Sequence, residues 1–214
     1  MSMFCCVLSF PLRVLVFTIS LSHASWADLP AKWTPRIIAS PGGGCFFKMI
    51  PDIGKREGGK NFSPCQPAGV AYTLTENGSF RELWRVSGWY TYQGYISDDG
   101  RYFIRFGLWA SDRDKQTDLA VAFYDGGKLL RQYQVRQLIR NKQALEESTS
   151  HYQWLPEVQT EPNGIRKGRF RLVLIDKGVC EFDLTTGKLV KRGVDPGAKS
   201  ARDYYSGLRK AGKL

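Results

Sequence analysis

The chain has 214 residues, 43% of them hydrophobic and 13% aromatic, with 31 Lys and Arg against 20 Asp and Glu for a formal net charge of +11. That length suits one domain and is enough to bury a core without disulfide or metal staples. The basic balance attracts anionic surfaces, but the cations are spread along the chain rather than blocked together, which is also how a solubilising charge is distributed.

The first element is an apolar stretch from Met3 to Leu21 with Arg13 as its only charge. The run from Val14 to Leu21, broken only by Thr18 and Ser20, has the size of a signal-peptide h-region, and Ser25-Trp26-Ala27 supplies the small residues of a cleavage site. A spanning helix needs about 20 consecutive apolar residues. Pro11 and Arg13 interrupt this run, so residues 1–27 read as a cleaved signal and the mature chain as secreted or periplasmic, beginning at Asp28. Cys5 and Cys6 precede the h-region, where a lipoprotein acceptor cysteine would not sit.

Residues 28–192 read as a β domain. Pro30, Trp33 and Pro35 mark an extended lead-in, and Cys45 to Ile50 is a short apolar run behind a glycine turn. Residues 51–68 form a Gly-, Pro- and Lys-rich loop. Cys45 and Cys65 flank it and are the best-placed disulfide pair, in the oxidising compartment that export implies. Closing that loop would contribute about 3 kcal/mol in the chain-entropy picture. Cys180, in Gly178-Val179-Cys180-Glu181-Phe182, reads as a small buried side chain. No C-x-x-C occurs and the spacing does not suggest zinc.

Strand-like runs then alternate with turns. Gly69 to Thr75 and Ser79 to Val86 flank Asn77-Gly78, a strong hairpin signal. The turn Ser97-Asp98-Asp99-Gly100 precedes the strand Tyr102 to Phe106, and Asp125-Gly126-Gly127 joins a strand from Asp118 to Tyr124 to one from Lys128 to Val135. Phe170 to Ile175 and Val179 to Leu184 follow, with Thr185-Thr186-Gly187 turning into Lys188 to Val190. One segment, Leu138 to Ser148, has a helical look, with Asn141 as a cap. Residues 193–214 read as a frayed basic tail.

The pattern repeats. Ser40-Pro41-Gly42-Gly43-Gly44-Cys45-Phe46-Phe47, leading to the Asn77-Gly78 hairpin, lies over Ser97-Asp98-Asp99-Gly100-Arg101-Tyr102-Phe103, leading to Gly126-Gly127, and a poorer copy ends at Thr186-Gly187. A unit of about 40–50 residues with four strands has the proportions of a propeller blade. At these residues, Ser97 to Phe103 and Asp118 to Leu130 above all, the chain resembles the blades of secreted bacterial β-propeller proteins and is similar to small uncharacterised bacterial secreted proteins with this layout. Ser97-Asp98-Asp99-Gly100 is one residue short of the Asp-box spacing of sialidase-type propellers, so no active site carries over from that group. Propellers close with about four to eight blades and this chain offers about three. The expected fold is all-β: an antiparallel meander of hairpins, as partial propeller blades or a sandwich, with one short helix.

Chemistry is sparse. His151 is the one histidine after residue 27, in Ser150-His151-Tyr152-Gln153-Trp154, and reads as a loop or packing residue. There is no G-x-S-x-G. Asp112, Asp114 and Asp118 cluster, but Arg113 and Lys115 stand between the acids and the Gly and Glu of a calcium loop are missing, so the segment reads as a solvated loop. No metal or other cofactor is expected.

The aromatics are more suggestive. Trp84, Trp89, Tyr90, Tyr92 and Tyr95 crowd together, with Trp109 and Trp154 elsewhere. Strand alternation over Trp89-Tyr90-Thr91-Tyr92 would set Trp89 and Thr91 on a core face and Tyr90 and Tyr92 on the other. Such aromatics ordinarily fill a β core; where the second face is instead exposed as a tyrosine stripe, Tyr90, Tyr92 and Tyr95 are the candidate binding surface. The tail sets Lys199, Arg202, Arg209, Lys210 and Lys213 beside Tyr204 and Tyr205, a composition suited to an anionic membrane or to single-stranded nucleic acid, the latter rarely the ligand of an exported protein. No nucleic-acid signature accompanies it. These features point to a non-enzymatic exported module that binds a protein or envelope component. The alternatives are a hydrolase acting on carbohydrate or peptide and a binder of anionic surfaces.

Overall fold

A computed structural model describes residues 32–51 and 66–213. Residues 1–27, where a signal segment is expected, Asp28 and Cys65 lie outside the described residues. The described chain forms three four-stranded antiparallel sheets, each a meander in which strands neighbour in chain order. The first holds β1 (Arg36–Ala39), β2 (Cys45–Ile50), β3 (Ala68–Leu74) and β4 (Phe80–Ser87). The second holds β5 (Gly94–Ile96), β6 (Tyr102–Phe106), β7 (Leu119–Asp125) and β8 (Lys128–Gln134). A small hairpin of β9 (Glu146–Glu147) and β10 (Tyr152–Gln153) intervenes. The third sheet holds β11 (Gly164–Arg166), β12 (Arg169–Val173), β13 (Gly178–Asp183) and β14 (Leu189–Val194).

The turns explain the strand ends, and they match between sheets. Ser40 and Ser97 occupy equivalent positions: Ser40 N donates to Cys45 O at 2.8 Å and Ser97 N to Tyr102 O at 3.0 Å. Each serine Oγ accepts the return bond, from Cys45 N at 3.2 Å and from Tyr102 N at 2.9 Å. The repeat read from the sequence is therefore a repeat of hydrogen-bonded turns. At the β7–β8 hairpin Gly126 and Gly127 have φ of 55° and 85°, the pair of positive values that a two-residue turn with native strand twist requires. In the β3–β4 hairpin the Asn77 side-chain oxygen accepts from Ser79 N and from the Thr75 hydroxyl.

The second sheet is covered on both faces, and its sequence shows why. Successive residues of a strand point to opposite sides. In β6, Phe103 packs into the cluster shared with Cys45, Phe47, Met49 and Ala71 of the first sheet, while Ile104 and Phe106 pack against Phe170, Leu172 and Phe182 of the third. In β7, Ala122 and Tyr124 face the first sheet, Val121 and Phe123 the third. A strand buried on both sides cannot show polar–apolar alternation, hence the unbroken Leu-Ala-Val-Ala-Phe-Tyr of β7. The leading strands converge, β5 lying against β1 on one side and β11 on the other. The result is three blade-like sheets in an arc whose inner strands are β1, β5 and β11.

Two expectations are corrected. The segment Leu138 to Ser148 is not one helix. A four-residue helix α1 (Val135–Leu138) ends where Ile139 turns extended, and Asn141 instead caps a 3-10 turn over Lys142–Ala144, its side chain accepting from Gln143 N at 3.1 Å. The apolar positions Leu138, Ile139 and Leu145 do not make a helical stripe; Leu138 and Ile139 fill the core between the second and third sheets. The tail is not frayed either. β14 runs to Val194, Asp195 is buried, Val158 bridges to Lys199, and helix α2 (Ala201–Lys210) follows, with the Ser200 hydroxyl accepting from Asp203 N at 3.2 Å. The pairing expected for Cys45 involves Cys65, beyond the described range; Cys45 itself is a free, buried thiol. Cys180 is free and buried as well, and burial pushes its thiol pKa up.

Candidate binding cleft on the inner strands

The segment joining the first sheet to the second, residues 88–93, is irregular rather than a strand, so alternation does not sort its aromatics. Tyr90 is 1% exposed. Its hydroxyl donates to Thr34 O at 2.7 Å and accepts from Thr34 N at 3.2 Å, and Trp33 stacks on its ring at 5.1 Å. Tyr90 is thus an anchor for the lead-in strand and not part of an exposed tyrosine stripe. Thr91 is buried too, its hydroxyl donating to Phe106 O at 3.0 Å. These bonds turn the chain into β5 and leave Tyr92 and Tyr95 partly open.

Tyr92 and Tyr95 line a cleft of about 750 Å³ beside the inner strands, with Ile37 and Ile38 of β1 on the same side. Tyr95 packs on Phe170 at 5.2 Å, and burial raises the pKa of its phenol. The Arg36 guanidinium lies 5.2 Å above the Tyr92 ring, outside the lining. Gly94 begins β5 because a side chain there would collide with the Phe103 ring, 2.5 Å from where a Cβ would stand.

The opposite wall comes from the β9–β10 hairpin and the chain leading to β11. Trp109 and His151 lie ring to ring at 4.1 Å, and the Trp109 indole N–H donates to Ser150 O at 3.3 Å. Ser148 Oγ lies 2.6 Å from His151 Nδ1 and also accepts from His151 N at 3.3 Å, so this pair closes the hairpin turn. Trp154, Gln153, Gln159 and Asn163 continue the wall. Asn163 Oδ1 accepts from Val173 N at 2.7 Å, fixing that loop to β12.

The aspartate loop supports this wall from behind and does not line the cleft. Tyr152 OH donates to Asp118 Oδ2 at 2.9 Å, and the same oxygen accepts from Asp112 N at 2.8 Å. Burial and then the Asp118 contact push the Tyr152 phenol far above its ordinary pKa. Asp112 accepts from the Thr117 hydroxyl and from Lys115 N, which hold its carboxyl below the usual range. Among the described residues no group of three or more His, Cys, Asp or Glu is placed to share a cation.

The structure thus brings Tyr92, Tyr95, His151, Trp109 and Trp154 to one cleft and removes Tyr90 from it. Gln153, Gln159 and Asn163 had no signal in the sequence beyond standing near Trp154. Among the described residues, Glu157 is the one carboxylate in the lining and no Lys or Arg lines it.

No protein-family model and no curated protein matches this chain. Solved structures similar to it include "Structure of U3-55K", at 11% identity and a TM-score of 0.38, and "Crystal structure of RRP9 WD40 repeats", at 12% and 0.37. Each match covers 79% of this chain and 42% or 44% of the other, so the chain spans less than half the length of either. The description of the three sheets as blades rests on their own pairing and packing.

Proposed function

We propose that this chain is an exported, non-enzymatic binding module of the cell envelope, and that its partner seats in the cleft beside β1, β5 and β11. The observation that carries this reading is the gathering of Tyr92, Tyr95, Trp109, His151 and Trp154 from distant parts of the chain around one open cleft. Aromatic side chains give large contact area at low entropic cost.

A hydrolase is the weaker reading. Glycoside cleavage by the usual route needs two carboxylates facing one another across the bond, and among the described residues the cleft lining holds one, Glu157. The Ser148–His151 pair is spent on closing its own turn, and Ser148 is not in the lining. Export, with cleavage after Ala27, is tested by N-terminal sequencing of the protein recovered from outside the cytoplasm. The binding role is tested by retention on purified envelope fractions. Trp109→Ala should abolish retention with an unchanged circular dichroism spectrum; retention by the variant equal to that of the parent overturns the reading.

A second reading has its own observation. Helix α2 has no buried residue and exposes Arg202, Tyr205, Arg209 and Lys210. It suits contact with an anionic membrane or polysaccharide. Binding to anionic vesicles that weakens with salt and disappears on deleting residues 199–214 supports it; salt-insensitive binding sinks it.

A further inference from the structure

Resting on the cleft as the binding site, we propose that its ligand is an uncharged, hydroxyl-rich oligosaccharide, bound and not cleaved. Charge decides first. A site for phosphate, nucleic acid or an acidic glycan draws on Arg and Lys, whose charge-assisted hydrogen bonds are the strong ones. Among the described residues no Arg or Lys is in the cleft lining. A single Glu157 is likewise too little to select a cationic ligand.

Polarity decides next. Gln93, Gln153, Gln159 and Asn163 are among the residues that line the cleft, the Asn163 side-chain oxygen being committed to Val173 N. Each amide carries both donors and an acceptor, as each sugar hydroxyl is both donor and acceptor. An acyl chain in the same place would leave these amides facing hydrocarbon, which is costly. Trp109 lines the same cleft, its orientation held by the His151 ring and the bond to Ser150 O. A sugar ring has an apolar C–H face as well as hydroxyl edges, so a cleft that combines an aromatic plane with neutral amide residues matches both.

A peptide is disfavoured by the length of the strands beside the cleft. Peptides that add to a sheet take their affinity from a main-chain ladder along an open edge. Here β5 and β11 are three residues long and β1 four.

The test is titration of the full chain, by tryptophan fluorescence and calorimetry, with N-acetylchitohexaose, maltohexaose and mannohexaose, against oligogalacturonate of equal length and a neutral hexapeptide. A neutral hexasaccharide should bind with an affinity that does not change between low and high salt. Trp109→Ala should weaken it by at least about tenfold. Gln153→Ala, at an exposed position where folding is not at stake, should weaken it severalfold. Binding of oligogalacturonate alone, or of the hexapeptide alone, with loss in Trp109→Ala, overturns the oligosaccharide inference and leaves the cleft as the binding site. If no probe binds and Trp109→Ala also retains full envelope binding, both readings fall.

Discussion

The Phe47 ring of β2 stacks on the Phe103 ring of β6 with centroids 4.0 Å apart and 24° between planes. Both side chains are fully buried, and together they make the seam between the first and second sheets. Gly69 on β3 is shaped around the same pair: a Cβ there would stand 2.0 Å from Phe47 Cζ.

Phe103→Ala should therefore cost about 3–5 kcal/mol, the usual range for emptying a packed aromatic site. Gly69→Ala should destabilise through the opposite fault, overpacking, at about 1–3 kcal/mol. Urea unfolding with both variants checks this, and a Phe103→Ala midpoint equal to that of the parent would refute the seam.

Ser40 and Ser97 stand in equivalent turns, each hydroxyl accepting from the backbone five residues on, and the Ser97 hydroxyl also donates to Asp99 Oδ1 at 2.5 Å. Ser40→Ala should cost about 1 kcal/mol, the net worth of one such bond, and Ser97→Ala more, because it also removes a bond to a carboxylate. Thermal melts of the two single variants should show the larger loss at Ser97; a larger loss at Ser40 would contradict this.

Asp195 gives the fold an acid sensitivity. It is 2% exposed and accepts from Thr160 Oγ1 at 2.5 Å, Thr160 N at 3.1 Å and Gly197 N at 3.0 Å, with Arg171 at 3.5 Å. Burial alone would raise its pKa, but these contacts outweigh it and hold the carboxyl below the ordinary value. A depressed folded-state pKa contributes stability that is complete above the unfolded value of about 3.9 and is lost as pH falls through the folded one. Asp195→Asn should lower Tm at neutral pH, and the gap to the parent should close as pH drops below about 4. A gap that widens in acid would contradict the assignment.

The helix at the C-terminus depends on its cap. Ser200→Ala removes the acceptor for Asp203 N and should cost about 0.5–2 kcal/mol, felt locally because no residue of α2 is buried. Hydrogen exchange should speed up across residues 201–210 and hold steady in β6 and β7. Uniform acceleration would mean that α2 folds with the core.

Much of the architecture was legible in the residues. Asn77-Gly78, Gly126-Gly127 and the paired Ser40 and Ser97 turns are local devices, closed by bonds spanning a few residues, and such bonds are written where the residues stand. The strands beside them could be read within a residue or two for the same reason. β1, β5, β11 and the β9–β10 hairpin were harder: they are two to four residues long, and periodicity needs more length than that to show. The tail misled because its basic surface resembles a solvated terminus, while its fixing points, Asp195 and Lys199, bond to Thr160 and Val158 in a distant segment.

The sequence by itself determined a basic chain, a meander of hairpins and a blade-like repeat, because turn chemistry and strand alternation act between near neighbours. Only the tertiary structure decided that Tyr90 is an internal anchor held by Thr34 while Tyr92 and Tyr95 border a cleft. It likewise decided that Trp109, His151 and the amides of the loop before β11 stand across from them. Those placements follow from how three sheets pack edge and face, through contacts far apart in the chain, and no local pattern encodes which side of an irregular segment meets solvent.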